Sequence, residues 1–147
     1  MSREILVLGL NPAWQRVFFL DKFTPGEVHR ISKVKEYASG KGINCCRVLQ
    51  LLGGTPRLMH FLGTGHGEKI FDELSVCGIQ QVPIWIRENT RICTTIACNG
   101  DTTELVEPSP MLADSENDDF AQTLNDHWDS TQYVEIGRAS CRERVER

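Results

Sequence analysis

The chain has 147 residues, enough for one modest domain, and its 40% hydrophobic and 24% charged residues fit a soluble globular protein and not a disordered one. The formal net charge is −4; residues 136–147 hold four Arg and two Glu, leaving 12 basic against 18 acidic residues, or −6, in the rest. An acidic body argues against a general nucleic-acid binder. No stretch reaches the roughly 18 apolar residues of a membrane span, and Met1-Ser2-Arg3-Glu4 runs into a strand pattern without signal-peptide character, so a cytoplasmic protein with no membrane partner is expected. Cys45, Cys46, Cys77, Cys93, Cys98 and Cys141 form no Cys-x-x-Cys pair, and His29, His60, His66 and His127 lack metal-like spacing. Reduced, mostly buried thiols and no metal site are the expectation.

In chain order, the patterns predict strands at 5–10, 14–20 and 27–37, a helix at 42–52, a strand at 57–62 and a helix at 67–77. Strands at 82–86, 91–98 and 102–107, a helix at 115–128 and a strand at 132–136 follow. The first helix sets Ile43, Cys46, Leu49 and Leu52 in an i, i+3 row and stops at Gly53-Gly54. The second sets Ile70, Leu74 and Cys77 on one side and stops at Gly78. The third starts at Ser115, with Glu116, Asp118 and Asp119 in its first turns, where carboxylates suit the helix dipole better than they suit a metal. Trp14, Trp85 and Trp128 are expected in the core or at a lid over it.

Strands alternating with helices predict an α/β fold with a mostly parallel sheet. Residues 14–37 and 91–107 stand outside that alternation. The first region turns at Thr24-Pro25-Gly26, and the second at Asn99-Gly100-Asp101, a strong hairpin signal. Together they predict a small second sheet.

Chemistry concentrates at Ala38-Ser39-Gly40-Lys41-Gly42-Ile43-Asn44, where a glycine loop enters the first helix. Glycines admit close backbone approach, a helix start offers N–H groups, and Lys41 adds a full charge, which together suit a phosphate. It is not a Walker A loop, because Lys35 stands where the first glycine belongs and Gly42 follows the lysine. Gly63-Thr64-Gly65-His66-Gly67 is not a dinucleotide fingerprint either, because Glu68 replaces the third glycine; it is a turn between strand and helix.

Four motifs in order, Asn11-Pro12-Ala13, Ser39-Gly40-Lys41-Gly42-Ile43-Asn44, Phe61-Leu62-Gly63 and Thr90-Arg91, resemble the ribokinase-like (PfkB) sugar kinases over about residues 4–134. The nearest likeness is to the 1-phosphofructokinase and tagatose-6-phosphate kinase branch. The resemblance implies a ribokinase-like sheet with flanking helices and a small β lid, of which residues 1–134 are the N-terminal part and 14–37 and 91–107 the lid. It implies a sugar-phosphate ligand, with Asn11 at a sugar hydroxyl, Gly40, Lys41 and Arg91 at the phosphate, and Asn44 facing the same cleft. Gln15 stands where the family usually has an Asp on the sugar hydroxyls, and Cys93 where it often has Asn. These departures leave the sugar open more than the phosphate preference.

Ile136 to Val145 reads as a translated sequencing adapter, ATC GGA AGA GCG TCG TGT AGG GAA AGA GTG, so residues 135–147 are expected to be a non-native tail. The family's Gly-Ser-Leu-Pro-like turn and its Gly-Ala-Gly-Asp segment, with the catalytic Asp, anion hole and ATP site, do not occur in the 147 residues. The expectation is the front part of an ATP- and Mg²⁺-dependent ketohexose-phosphate kinase, itself inactive and needing no cofactor, with a lid-mediated homodimer in the full protein. The alternatives are a noncatalytic sugar-phosphate-binding module or an unstable relic; a ribose or nucleoside kinase fits Lys41 and Thr90-Arg91 less well. A parallel sheet ending after its early strands leaves an apolar edge uncovered. The 147-residue chain expressed alone is therefore expected to self-associate on size exclusion; a monodisperse, cooperatively unfolding monomer contradicts this.

Overall fold

Ile5-Leu6-Val7-Leu8-Gly9 alternates between two buried faces and forms β1 (Ile5–Gly9), an interior strand of the larger sheet. The computed structural model describes residues 5–137. The other strands are β2 (Ala13–Leu20), β3 (Lys33–Ser39), β4 (Pro56–Gly63), β5 (Gln80–Ile86), β6 (Ile92–Cys98), β7 (Asp101–Val106) and β8 (Tyr133–Ile136). The helices are α1 (Lys41–Leu51), α2 (His66–Val76) and α3 (Asp114–Trp128).

Two four-stranded sheets result. The first, in order β5-β4-β1-β8, is parallel throughout. Val7, Leu58 and Leu62 leave one face of it to pack with Ile43 and Cys46 of α1 and with Ile70 and Leu74 of α2. Leu6, Leu8, Met59 and Phe61 leave the other, where Phe120 and Leu124 of α3 cover them. Each fully buried aliphatic side chain contributes about 1.5–3 kcal/mol relative to exposure, so these two layers dominate stability. The second sheet, in order β3-β2-β6-β7, is the excursion expected from residues 14–37 and 91–107. Trp14 and Ala38 tie it to the α1–α2 side of the core.

The structure corrects several expectations. The strand expected at 27–37 begins only at Lys33 and extends to Ser39. In the preceding loop, His29 Nε2 lies 3.1 Å from the Thr24 N–H and 2.9 Å from its carbonyl, a local side-chain–backbone contact that competes with strand pairing. Leu52 lies outside the first helix as its C-cap residue and is 78% exposed, with Gly53 turning the chain at φ +81° just after it. Trp85 and Trp128 are about half exposed; Trp85 rests on Phe71 with ring centroids 5.9 Å apart. Among the described cysteines Cys46 is buried, Cys77 exposed, and Cys45, Cys93 and Cys98 lie between. The third helix starts at Asp114, one residue before the expected Ser115, with Ala113 as its N-cap and Glu116 accepting the Ala113 N–H at 2.7 Å. Glu116 also accepts the Arg87 N–H at 2.8 Å, and these two bonds, with Ala113 foremost, hold its carboxyl below the usual range. Glu135 and Ile136 continue β8, and the Gly137 N–H donates to the Leu8 carbonyl at 3.0 Å. The rest of the expected non-native tail (138–147, with Cys141) and Met1–Glu4 lie outside the described residues.

His60 sits fully buried in β4, on the face that carries Leu58 and Leu62. Neither ring nitrogen has a partner at hydrogen-bond distance among the described residues. Burial pushes its pKa down to about 4, with the Gln81 side chain opposing. The unfolded chain therefore takes up this proton first, and stability is complete above about pH 6.5 and lost as pH falls toward 4. Chemical denaturation across that window should show a loss approaching about 3 kcal/mol. His60→Leu should flatten this part of the curve; an unchanged slope in that variant contradicts the assignment.

Candidate functional site

The loop between β3 and α1 is held open by glycine. Gly40 has φ +143°, a conformation that side-chain-bearing residues rarely adopt, and it precedes the first helical bond, from the Asn44 N–H to the Gly40 carbonyl at 2.9 Å. No side chain caps α1, and its first turn holds no acidic residue. A helix start of this kind directs its positive dipole end toward the β3–α1 loop, where an anion is favoured. Gly42 lies directly against β1: a Cβ there would stand 2.5 Å from Gly9 Cα. This contact brings the helix start to the C-terminal end of β1, the position where open α/β sheets take ligands.

A cleft of about 330 Å³ forms at this junction, and all six expected site residues, Asn11, Gln15, Gly40, Lys41, Asn44 and Arg91, line it. Arg91 arrives from the segment before β6. Its position is set by Thr90, whose buried hydroxyl accepts the Gly63 N–H at 2.8 Å, and by its own carbonyl, which accepts the Trp14 N–H at 3.0 Å. The Thr-Arg pair thus divides its work: Thr90 secures the end of β4, and Arg91 faces the cleft. The Arg91 guanidinium donates to the Asn11 carbonyl at 3.4 Å through Nη2, while Nε is shielded from solvent and without a partner among the described residues. A shielded cationic N–H is well suited to an anionic acceptor.

The amide side chains are partly committed. Asn11 Nδ2 donates to Ser109 Oγ at 2.7 Å, which leaves Oδ1 for other work. Asn44 Oδ1 accepts from Arg47 Nη1 at 3.3 Å, in place of the local backbone bond that a polar residue in a first helical turn often makes. Gln15 donates to Thr95 Oγ1 at 2.9 Å.

Cys93, Glu104 and Val106 also line the cleft. Glu104 and Val106 were not singled out as site residues from sequence. The signal was present: Asn99-Gly100 is a two-residue turn, Asn99 has φ +49°, and Cys93 therefore pairs with Val106 and Thr95 with Glu104. Burial raises the Cys93 thiol pKa; Arg91 opposes the shift, and Glu104 and Glu107 add to it, so the thiol stays neutral at pH 7.

A family model described as pfkB family carbohydrate kinase matches residues 3–146. The tagatose-6-phosphate kinase of Staphylococcus epidermidis is 34% identical over 120 residues, covering 82% of this chain and 39% of the relative. The chain thus spans about two fifths of the length of the curated relatives it matches. A Thermotoga maritima structure described as a possible 1-phosphofructokinase superposes with a TM-score of 0.82 at 26% identity, over 91% of this chain and 44% of its own. Phosphofructokinase-2 of Escherichia coli, solved in complex with fructose-6-phosphate, superposes with a TM-score of 0.79 at 21% identity, over 86% and 42% respectively, a likeness of fold.

The Gly9–Gly42 contact yields a direct test. Gly42→Ala forces backbone apart and should cost about 1–3 kcal/mol in urea denaturation, whereas Lys41→Ala, at an exposed position, should leave the midpoint nearly unchanged. Equal effects of the two substitutions contradict the close approach.

Proposed function

The chain belongs to the pfkB family of carbohydrate kinases, and on that premise we propose that its cleft binds the phosphate-bearing end of a ketohexose phosphate, of the fructose 1-phosphate or tagatose 6-phosphate type. The observation that carries this reading is the shielded, partnerless Nε of Arg91 in one cleft with Lys41 and the uncapped start of α1. The three supply donors and positive charge from separate elements to one small volume, as a phosphate dianion requires. Asn11 and Asn44 orient the sugar beside it.

In the whole protein, phosphoryl transfer from ATP to a primary hydroxyl of this sugar follows, with the second sheet as a lid that also meets a second copy, in the cytoplasm. The 147 residues contain no Gly-Ala-Gly-Asp segment. In this reading the part of the residues present is to bind and position the acceptor, and the 147-residue chain by itself is a binder without transferase activity. The alternative of a dedicated noncatalytic sugar-phosphate module predicts the same binding and differs only in the parent locus: a reading frame that continues into a Gly-Ala-Gly-Asp-like segment supports the kinase.

Isothermal titration of the 147-residue chain with fructose 1-phosphate, tagatose 6-phosphate and unphosphorylated fructose tests the site. Binding should require the phosphate, and Lys41→Ala and Arg91→Ala should each weaken it about tenfold or more. Equal affinity for fructose and its phosphate, or indifference to both substitutions, overturns the reading.

A further inference from the structure

The cleft has two walls of opposite hydrogen-bonding character. At one end stand donors: the Arg91 Nε–H, the Lys41 ammonium and the leading N–H groups of α1. The wall built by the second sheet is different. Gln15 pairs with Cys93 across β2–β6, and Cys93 with Val106 across β6–β7. Glu104, two residues before Val106, points to the same face. Gln15 Nε2 lies 2.9 Å from Thr95 Oγ1 and 3.3 Å from the Arg16 carbonyl. A carbonyl can only accept, so the amide nitrogen is fixed on that side and Oε1 is left as the free acceptor. The Glu104 carboxylate is exposed and makes no hydrogen bond or ion pair among the described residues, and a carboxylate likewise only accepts. Beside these acceptors, on the same face, lies the apolar pair of the Cys93 thiol and the Val106 side chain.

Resting on the sugar-phosphate reading above, we infer that Glu104, together with Gln15 Oε1, recognises the hydroxyl groups of the sugar and sets the specificity of the cleft. The ligand that satisfies both walls carries an oxyanion at one end, hydroxyl donors at the other and a C–H face between them against Cys93 and Val106. A bare phosphate leaves the acceptors unused. A second phosphate group placed against this wall meets the Glu104 charge and is disfavoured. Glu104 thereby supplies, from the neighbouring hairpin, the carboxylate that Gln15 does not.

The test measures dissociation constants of inorganic phosphate, fructose 1-phosphate and tagatose 6-phosphate for the unmodified 147-residue chain and its Glu104→Gln and Glu104→Ala variants, with circular dichroism as the check on folding. At least one sugar phosphate should bind the unmodified chain more tightly than inorganic phosphate. Glu104→Ala should weaken that sugar phosphate about tenfold, Glu104→Gln less, and inorganic phosphate should move by less than about twofold. A parallel shift of phosphate and sugar phosphate reduces Glu104 to a diffuse charge and overturns the inference, as does no shift in either. An unmodified chain that binds inorganic phosphate as tightly as both sugar phosphates also overturns it while leaving the phosphate site standing. A chain that binds none of the three overturns the sugar-phosphate reading and the inference with it.

Discussion

Arg47 of α1 and Glu73 of α2 meet at 2.8 Å, and together they bind both polar groups of the Ala38 peptide. The Ala38 N–H donates to Glu73 Oε2 at 2.8 Å, and the Ala38 carbonyl accepts from Arg47 Nη1 at 2.9 Å. An ion pair about 30% exposed contributes little by charge alone. Its weight comes from what it satisfies, since Ala38 is wholly buried and an unpaired buried peptide group costs about 1–3 kcal/mol. Through this clamp two helices of the main layer hold the last turn of backbone before the Gly40 loop. The cleft inherits its shape from that anchorage: Asn44 is steadied by the same Arg47, and the second sheet enters the core at Ala38 beside Trp14.

The two sheets therefore meet at a seam and not along a face. β1 ends at Gly9 and β2 begins at Ala13, so the chain crosses between sheets in three residues. A second crossing in the same direction, from β5 to β6, is secured by Thr90 on Gly63. Every expected site residue lies at or next to one of these crossings or at the β3–α1 loop. This is why residues far apart in sequence, such as Lys41 and Arg91, share one small volume.

Much of this was legible beforehand. The unbroken apolar run of β1, the glycine stops of α1 and α2, and the Asn99-Gly100 turn each obey a local rule, and every element but β3 falls within two residues of expectation. The grouping of Asn11, Lys41, Asn44 and Arg91 was not written in their spacing; it came from motif resemblance and is realised through the crossings. What escaped the sequence was decided by tertiary partners. The Arg47–Glu73 clamp joins surface-type residues on two helices. The buried His60 has no polar neighbour in sequence to announce it. Residues 27–32 carry a plausible strand pattern, but β2 pairs with β3 only as far as Lys33. Glu104 reads as an ordinary charged residue of a hairpin until the register places it in the cleft.

That register hangs on a turn of two residues. Strand side chains alternate faces, so a single-residue insertion or deletion between Cys98 and Asp101 that slips the pairing would withdraw Glu104 and Val106 from the cleft and present Thr103 and Leu105 instead. The other end of the cleft, built on β1, α1 and the segment before β6, would be untouched. Evolution can thus exchange the chemistry of one wall in a single indel, at an exposed hairpin tip where such changes are best tolerated. A scaffold of this kind can change what one wall of its cleft offers a ligand while the opposite end keeps its geometry.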